Sequence, residues 1–260
     1  HQSIAELAEA AKELQDIILA EQGLAEGEAP LTPVQQWFFE QDVADAHHFN
    51  QSLMLKVDRS VNAEHLRAAW ETVLWQHDAL RLRYSRLESG RWLQTFRPSE
   101  HSETLLGEVF EVVNLSGLPV ALRGEQITQL AGQVQAELSM AKGPLIRVIY
   151  FDMGRDQPAR LLVVIHHLVV DVFSWRVLLE DVQNALQLIL KGERVDLGSK
   201  TTSFRQWGDA LITLANSPAL DADFDFWRRQ LQHKPVRLPQ DQQGKNQVSS
   251  VKTVERRLDA

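Results

Sequence analysis

Apolar residues at the start of the chain recur with a helical period. Ile4, Leu7, Ala8, Ala11, Leu14 and Ile18 fall on one stripe, which predicts a helix over 3–22. Ser3 and Glu6 fit a capping box at its first turn. Residues 23–33 (GLAEGEAPLTP) interrupt the period with Gly, Glu and Pro and read as a linker, so a boundary with a preceding unit is expected there. Thr32 followed by Pro33 predicts an N-cap and first-turn proline, opening a short helix through VQQWFFEQ. Residues 48–57 alternate and predict a strand. Over 62–77, Leu66, Ala69, Trp70, Val73 and Leu74 share one face of an amphipathic helix. LRLRYSRL at 80–87 alternates strictly and is joined by ESGR to WLQTF, the pattern of a hairpin.

Residues 109–114 predict another strand, and a helix is expected from about 121 to 140. Two apolar strands follow at 145–153 and 159–167, with GRDQP as the turn. The second is apolar on both faces until two histidines, which predicts a central strand. The stretch 174–192 is a long amphipathic helix that stops at Gly192. Two more helices are expected at 203–216 and 221–232, then a polar tail ending in a strand, SSVKTVERRL. Strands and helices mix without a strict βαβ rhythm, so the expected fold class is α/β (α+β), a mixed β-sheet flanked by helices.

Composition narrows the function. The chain has 260 residues, 44% apolar and 24% charged, enough to bury a core without staples. The absence of cysteine excludes a disulfide, a thiolate nucleophile and a zinc–thiolate site, and makes a cytoplasmic location the expectation. A net charge of −8 counts against nucleic acid as a partner. No apolar run approaches a membrane span, and no signal-peptide pattern is present. The first residue is His1 rather than Met, so the chain is expected to be a piece of something longer.

Candidate chemistry concentrates in IHHLVVDVFSW at 165–175. Neighbouring strand residues point to opposite faces, so one of His166 and His167 faces a cavity and the other packs inward with its hydrogen bonds satisfied. Imidazole titrates near neutrality and suits proton transfer. Asp171 either orients His167 or forms a structural ion pair with Arg81 or Arg83; the ion pair is the favoured reading. Ser174 reads as the cap of the following helix, since it lacks a nucleophile elbow. Adjacent strand histidines diverge and chelate one ion badly, so no metal is expected. His47 and His48 read as a strand edge near the core. Trp37, Phe38 and Phe39 stand at helical spacing with Val34 and read first as core, second as the wall of a substrate tunnel.

HHLVVDVFSWRVLLEDV resembles the HHxxxDG signature of the condensation-domain superfamily of nonribosomal peptide synthetases. LTPVQQWFFEQ at 31–41, HHFNQS at 47–52 and the SW pair at 174–175 resemble the epimerization subgroup. WQHDALRLRY at 75–84 resembles the family's RHExLRTxF motif, and HQSIAELA at 1–8 resembles the last helix of a peptidyl carrier domain. The resemblance implies a carrier-domain helix and linker at 1–24 and the N-terminal lobe of an epimerization/condensation-type domain at 25–260. The fold would be that of chloramphenicol acetyltransferase, two similar lobes around a tunnel, of which this chain holds the first. The implied reaction is inversion of the α-carbon of a carrier-bound aminoacyl or peptidyl thioester, L to D.

In that reading His167 is catalytic, His166 supports it, and Asp171 and Arg81 form the family's structural pair. Ser174 supports the turn, and Trp37, Val172 and Trp175 are tunnel residues. The family's catalytic glutamate belongs to the second lobe. The implied partners are an upstream peptidyl carrier domain and that missing C-terminal lobe. No cofactor is bound directly, because the phosphopantetheine arm arrives on the carrier. Val172 stands where the motif has glycine, which is expected to restrict the backbone and crowd the cavity. The alternatives are a condensation domain that forms amide bonds, and a non-catalytic module that docks a carrier domain.

Overall fold

The computed structural model describes residues 20–41, 43–98, 102–232, 239, 244 and 250–256. Most of the helix expected at 3–22 lies outside the described residues, and its last three positions, 20–22, are irregular. The chain divides into two compact units, His1–Thr213 and Leu214–Ala260.

Among its described residues, the first unit carries two sheets. The smaller has the order β1 (Gly27–Ala29), β4 (Trp92–Phe96), β3 (Leu82–Arg86), all antiparallel. β3 and β4 are the predicted hairpin, paired from Leu82↔Phe96 to Arg86↔Trp92. The larger sheet has the order β2 (Asn50–Lys56), β7 (Arg160–His166), β6 (Ile146–Asp152), β5 (Phe110–Asn114). Its one parallel pair is β5 with β6; the others are antiparallel.

β7 is central, as its sequence predicts, and alternation explains why it is apolar on both faces. Leu161, Val163 and Ile165 enter one core with α2 (Ala63–Gln76) and α5 (Val172–Lys191). Leu162 and Val164 enter a second core with α4 (Val120–Ala136), through Val134, Ile127 and Leu130. Each such side chain contributes about 1.5–3 kcal/mol by leaving water. On α2, all five stripe residues named from the sequence are buried. Its N-cap Asn62 accepts from the His65 amide at 2.9 Å. α5 ends at Gly192, whose φ of 70° is the left-handed cap conformation that glycine adopts without a Cβ clash. α1 (Pro33–Glu40) begins as predicted after Thr32, whose amide donates to Gln35 Oε1 at 3.0 Å.

Several expectations are corrected. Ala46–His48 and Asp78–Arg81 are 3₁₀ turns, so the strands begin two residues later than their alternation suggests. α3 (Ser102–Val109) was not anticipated. α5 starts at Val172 rather than Ser174, because Asp171 is the N-cap. In the second unit, α7 (Asp221–Gln230) has acids in its first turn and Arg228 and Arg229 in its last, matching the helix dipole. The described tail residues 250–256 carry no strand. α6 (Phe204–Ala215) forms where the sequence predicts it.

Candidate active site

β7 delivers the two histidines to different environments. His166, the last strand residue, has no exposed surface. Its Nε2 lies 2.8 Å from Ala46 O, and its Nδ1 accepts from the Leu168 amide at 3.2 Å. Nε2 must therefore carry the proton. Burial is the main force pushing this imidazole down, to about 4; the Ala46 contact opposes it, and His47 and His167 lower it further. His166 is a neutral structural group near pH 7.

His167 is the first residue beyond the strand and is partly exposed. Its amide donates to Phe49 O at 2.7 Å, which extends the β2–β7 ladder into the turn. The Phe49 ring stacks on the imidazole at 5.0 Å and 21°. Nδ1 lies 2.8 Å from Val170 O. Nε2 lies 3.1 Å from Gln51 Nε2, and Gln51 Oε1 accepts from Trp175 Nε1 at 2.7 Å. Three elements thus hold the ring: β2 through Gln51, the turn after β7, and α5 through Trp175.

The other predicted site residues fall in different places. The expected Asp171–Arg81 pair is not formed. Asp171 is exposed and caps α5, accepting from Ser174 N and Oγ, both at 2.7 Å. Those two hydrogen bonds hold its carboxyl below the usual carboxylate range. Ser174 is therefore the donor to the cap rather than the cap itself. Arg81 is 2% exposed and pairs instead with Asp78, three residues earlier on the same 3₁₀ turn, at 2.7 Å. Lys200 also reaches Asp78, at 3.0 Å. Val172 is 74% exposed in the first turn of α5. It therefore sits on a helical backbone rather than at a strand-to-helix turn. Trp175 is buried against the core, whereas Trp37 is 58% exposed.

Within the aromatic run, Phe38 is buried and meets the His166 ring edge-on at 6.1 Å; Phe39 stacks on Trp92 at 4.2 Å. His47 and His48 occupy a 3₁₀ turn rather than a strand edge, and His47 Nδ1 accepts from the Met140 amide. Gln51 is the residue sequence reasoning missed. The available signal was its place in HHFNQS, on a strand whose pairing with β7 could not be read from the sequence. Among the described residues no group of three or more His, Asp or Glu could hold a metal ion. A cavity of about 650 Å³ lies at β1, α1 and β4, and His167 is not among its lining residues. The chemistry this site displays is a partly exposed imidazole just beyond the end of β7, with one nitrogen facing a carbonyl and the other an amide.

Comparison with known proteins gives the same class. A family model described as "Condensation domain" matches residues 25–260. The chain belongs to the condensation-domain family. It is 43% identical over 255 residues to one of the linear gramicidin synthase proteins of Brevibacillus parabrevis, covering 98% of this chain and 3% of that protein. It is 40% identical to chondramide synthase cmdD of Chondromyces crocatus, covering 98% of this chain and 6% of that one. Among solved structures, the epimerization domain from the third module of tyrocidine synthetase B superposes with a TM-score of 0.75 at 34% identity, covering 85% of this chain and 49% of that one. The chain thus spans a small share of these synthases and about half of the solved domain.

Proposed function

We propose that this chain supplies the histidine-bearing half of an epimerization domain in a nonribosomal peptide synthetase. The substrate is an aminoacyl or peptidyl thioester carried on the phosphopantetheine arm of a carrier domain. His167 Nε2 takes the α-proton: the C–H bond breaks, its electron pair passes into the thioester carbonyl as an enolate, and an acid on the opposite face returns a proton to carbon. That acid is the glutamate the resemblance assigns to the second lobe. The chemistry is proton transfer alone.

The observation that carries this reading is convergence at His167. Gln51, from HHFNQS, and Trp175, from the SW pair, come from the stretches that resemble the epimerization subgroup, and they form one hydrogen-bonded line ending at its Nε2. The likeness to a solved epimerization domain supports the same choice. The family-model description favours a second reading, amide formation at the same histidine.

The test uses the chain extended through its second lobe, with a carrier-bound L-aminoacyl thioester in deuterated water. Deuterium enters the α-position, and His167→Ala slows entry by at least about a hundredfold. No exchange by the extended wild type overturns the proposal; a new amide with an acceptor thioester, without exchange, assigns the chain to condensation.

A further inference from the structure

We propose that Gln51, oriented by Trp175, is a positioning residue that keeps Nε2 of His167 free of a proton in the resting site. An indole N–H can donate and cannot accept, so the oxygen of Gln51 must face Trp175, where it lies at 2.7 Å. The amide nitrogen then faces His167 at 3.1 Å. An amide nitrogen only donates, so Nε2 must present its lone pair. The ring proton is left to Nδ1, which faces Val170 O at 2.8 Å, a group that only accepts. No other assignment satisfies the three contacts together.

The arrangement is more than packing. Val170 O alone requires a proton on Nδ1 but is indifferent to a second one on Nε2. Gln51 supplies the missing constraint, since a protonated Nε2 would set two donors against each other. Rotating the amide to accept from the ring would instead oppose its nitrogen to the indole N–H. Trp175 is buried in α5 and Gln51 sits in β2, so neither partner swings freely. The Gln51 N–H therefore acts as a placeholder on the lone pair that a substrate α-hydrogen replaces. The catalytic meaning rests on the proposed epimerization; the location of the ring proton does not.

The experiment is long-range ¹H–¹⁵N spectroscopy of the full 260-residue chain with ring-labelled histidine, His167 being identified by the signals lost in His167→Gln. In the wild type at pH 7, Nδ1 carries the proton and Nε2 does not. Gln51→Glu is isosteric and keeps an oxygen for Trp175, but offers a second acceptor to Nε2; both ring nitrogens then carry protons. Gln51→Met fills the same space without a donor, which lifts the constraint, so a protonated Nε2 becomes populated. Trp175→Phe frees the amide to turn, and a protonated Nε2 becomes populated.

A wild-type Nε2 that bears a proton overturns the proposal, as does a Gln51→Glu pattern identical to wild type. If Gln51→Glu fails to fold, an unchanged pattern in Trp175→Phe overturns it instead. In the extended protein, Gln51→Glu slows α-deuterium entry by at least about tenfold. Absence of exchange in the extended wild type would remove the epimerization reading while leaving the ring-proton result standing.

Discussion

His166 has both ring nitrogens engaged and no exposed surface, and burial pushes it down to about 4. Its folded value lies below the unfolded one of about 6.5, so acid titrates the unfolded chain first. Stability is unaffected above pH 6.5 and falls between 6.5 and 4, by up to roughly 3 kcal/mol. Asp171, whose carboxyl is held low by Ser174, adds a loss confined to still lower pH, as its own proton binds. Urea midpoints measured from pH 7.5 to 4.5 should hold down to about pH 6.5 and then fall for the wild type, and fall far less for His166→Asn; parallel curves would contradict this. Strand alternation alone makes legible that one of the two histidines packs inward and the other does not; which one comes from the family resemblance. The partner of Arg81 was not, because alternation placed it in a strand, where Asp78 would point away, whereas a 3₁₀ turn returns the side chain three residues on to the same side.

Among the elements, periodicity located most of the long helices and strands, because tertiary burial agrees with local pattern there. α2 is the clearest case, its five stripe residues all being buried. Turns such as Ala46–His48 escaped, since three residues give no period to read. The pairing of β2 with β7 was also out of reach, and with it the role of Gln51. α6 carries a constraint that propensity would misjudge. A Cβ on Gly208 would lie 2.7 Å from Pro30 Cγ and 3.1 Å from Pro30 O. Alanine gains about 1 kcal/mol in helix propensity over glycine, but overpacking against a stiff ring and a backbone carbonyl costs about 1–3 kcal/mol. Gly208→Ala should therefore lower the thermal midpoint; a rise would show that Pro30 yields.

Across the first unit, Asp78 ties together segments distant in sequence. It accepts from Arg81 at 2.7 Å, from Lys200 at 3.0 Å and from the Ala25 amide at 3.3 Å, while Arg81 also donates to Ala25 O. Removing the acid strands a guanidinium that is 2% exposed. Asp78→Ala should cost about 3–5 kcal/mol by chemical denaturation; a loss under about 1 kcal/mol would mean Lys200 and Arg81 find water. The larger sheet has a temporal consequence as well. Gln51 stands 116 residues before His167, and β2 has β7 as its neighbour in the sheet. At ribosomal speeds of about 5–20 residues per second, β2 emerges on the order of ten seconds before the strand that receives it. The imidazole's surroundings are thus completed only once the strand at 160–166 and the start of α5 have followed β2, and a nascent chain halted before residue 160 holds an unmated strand open to stray pairing.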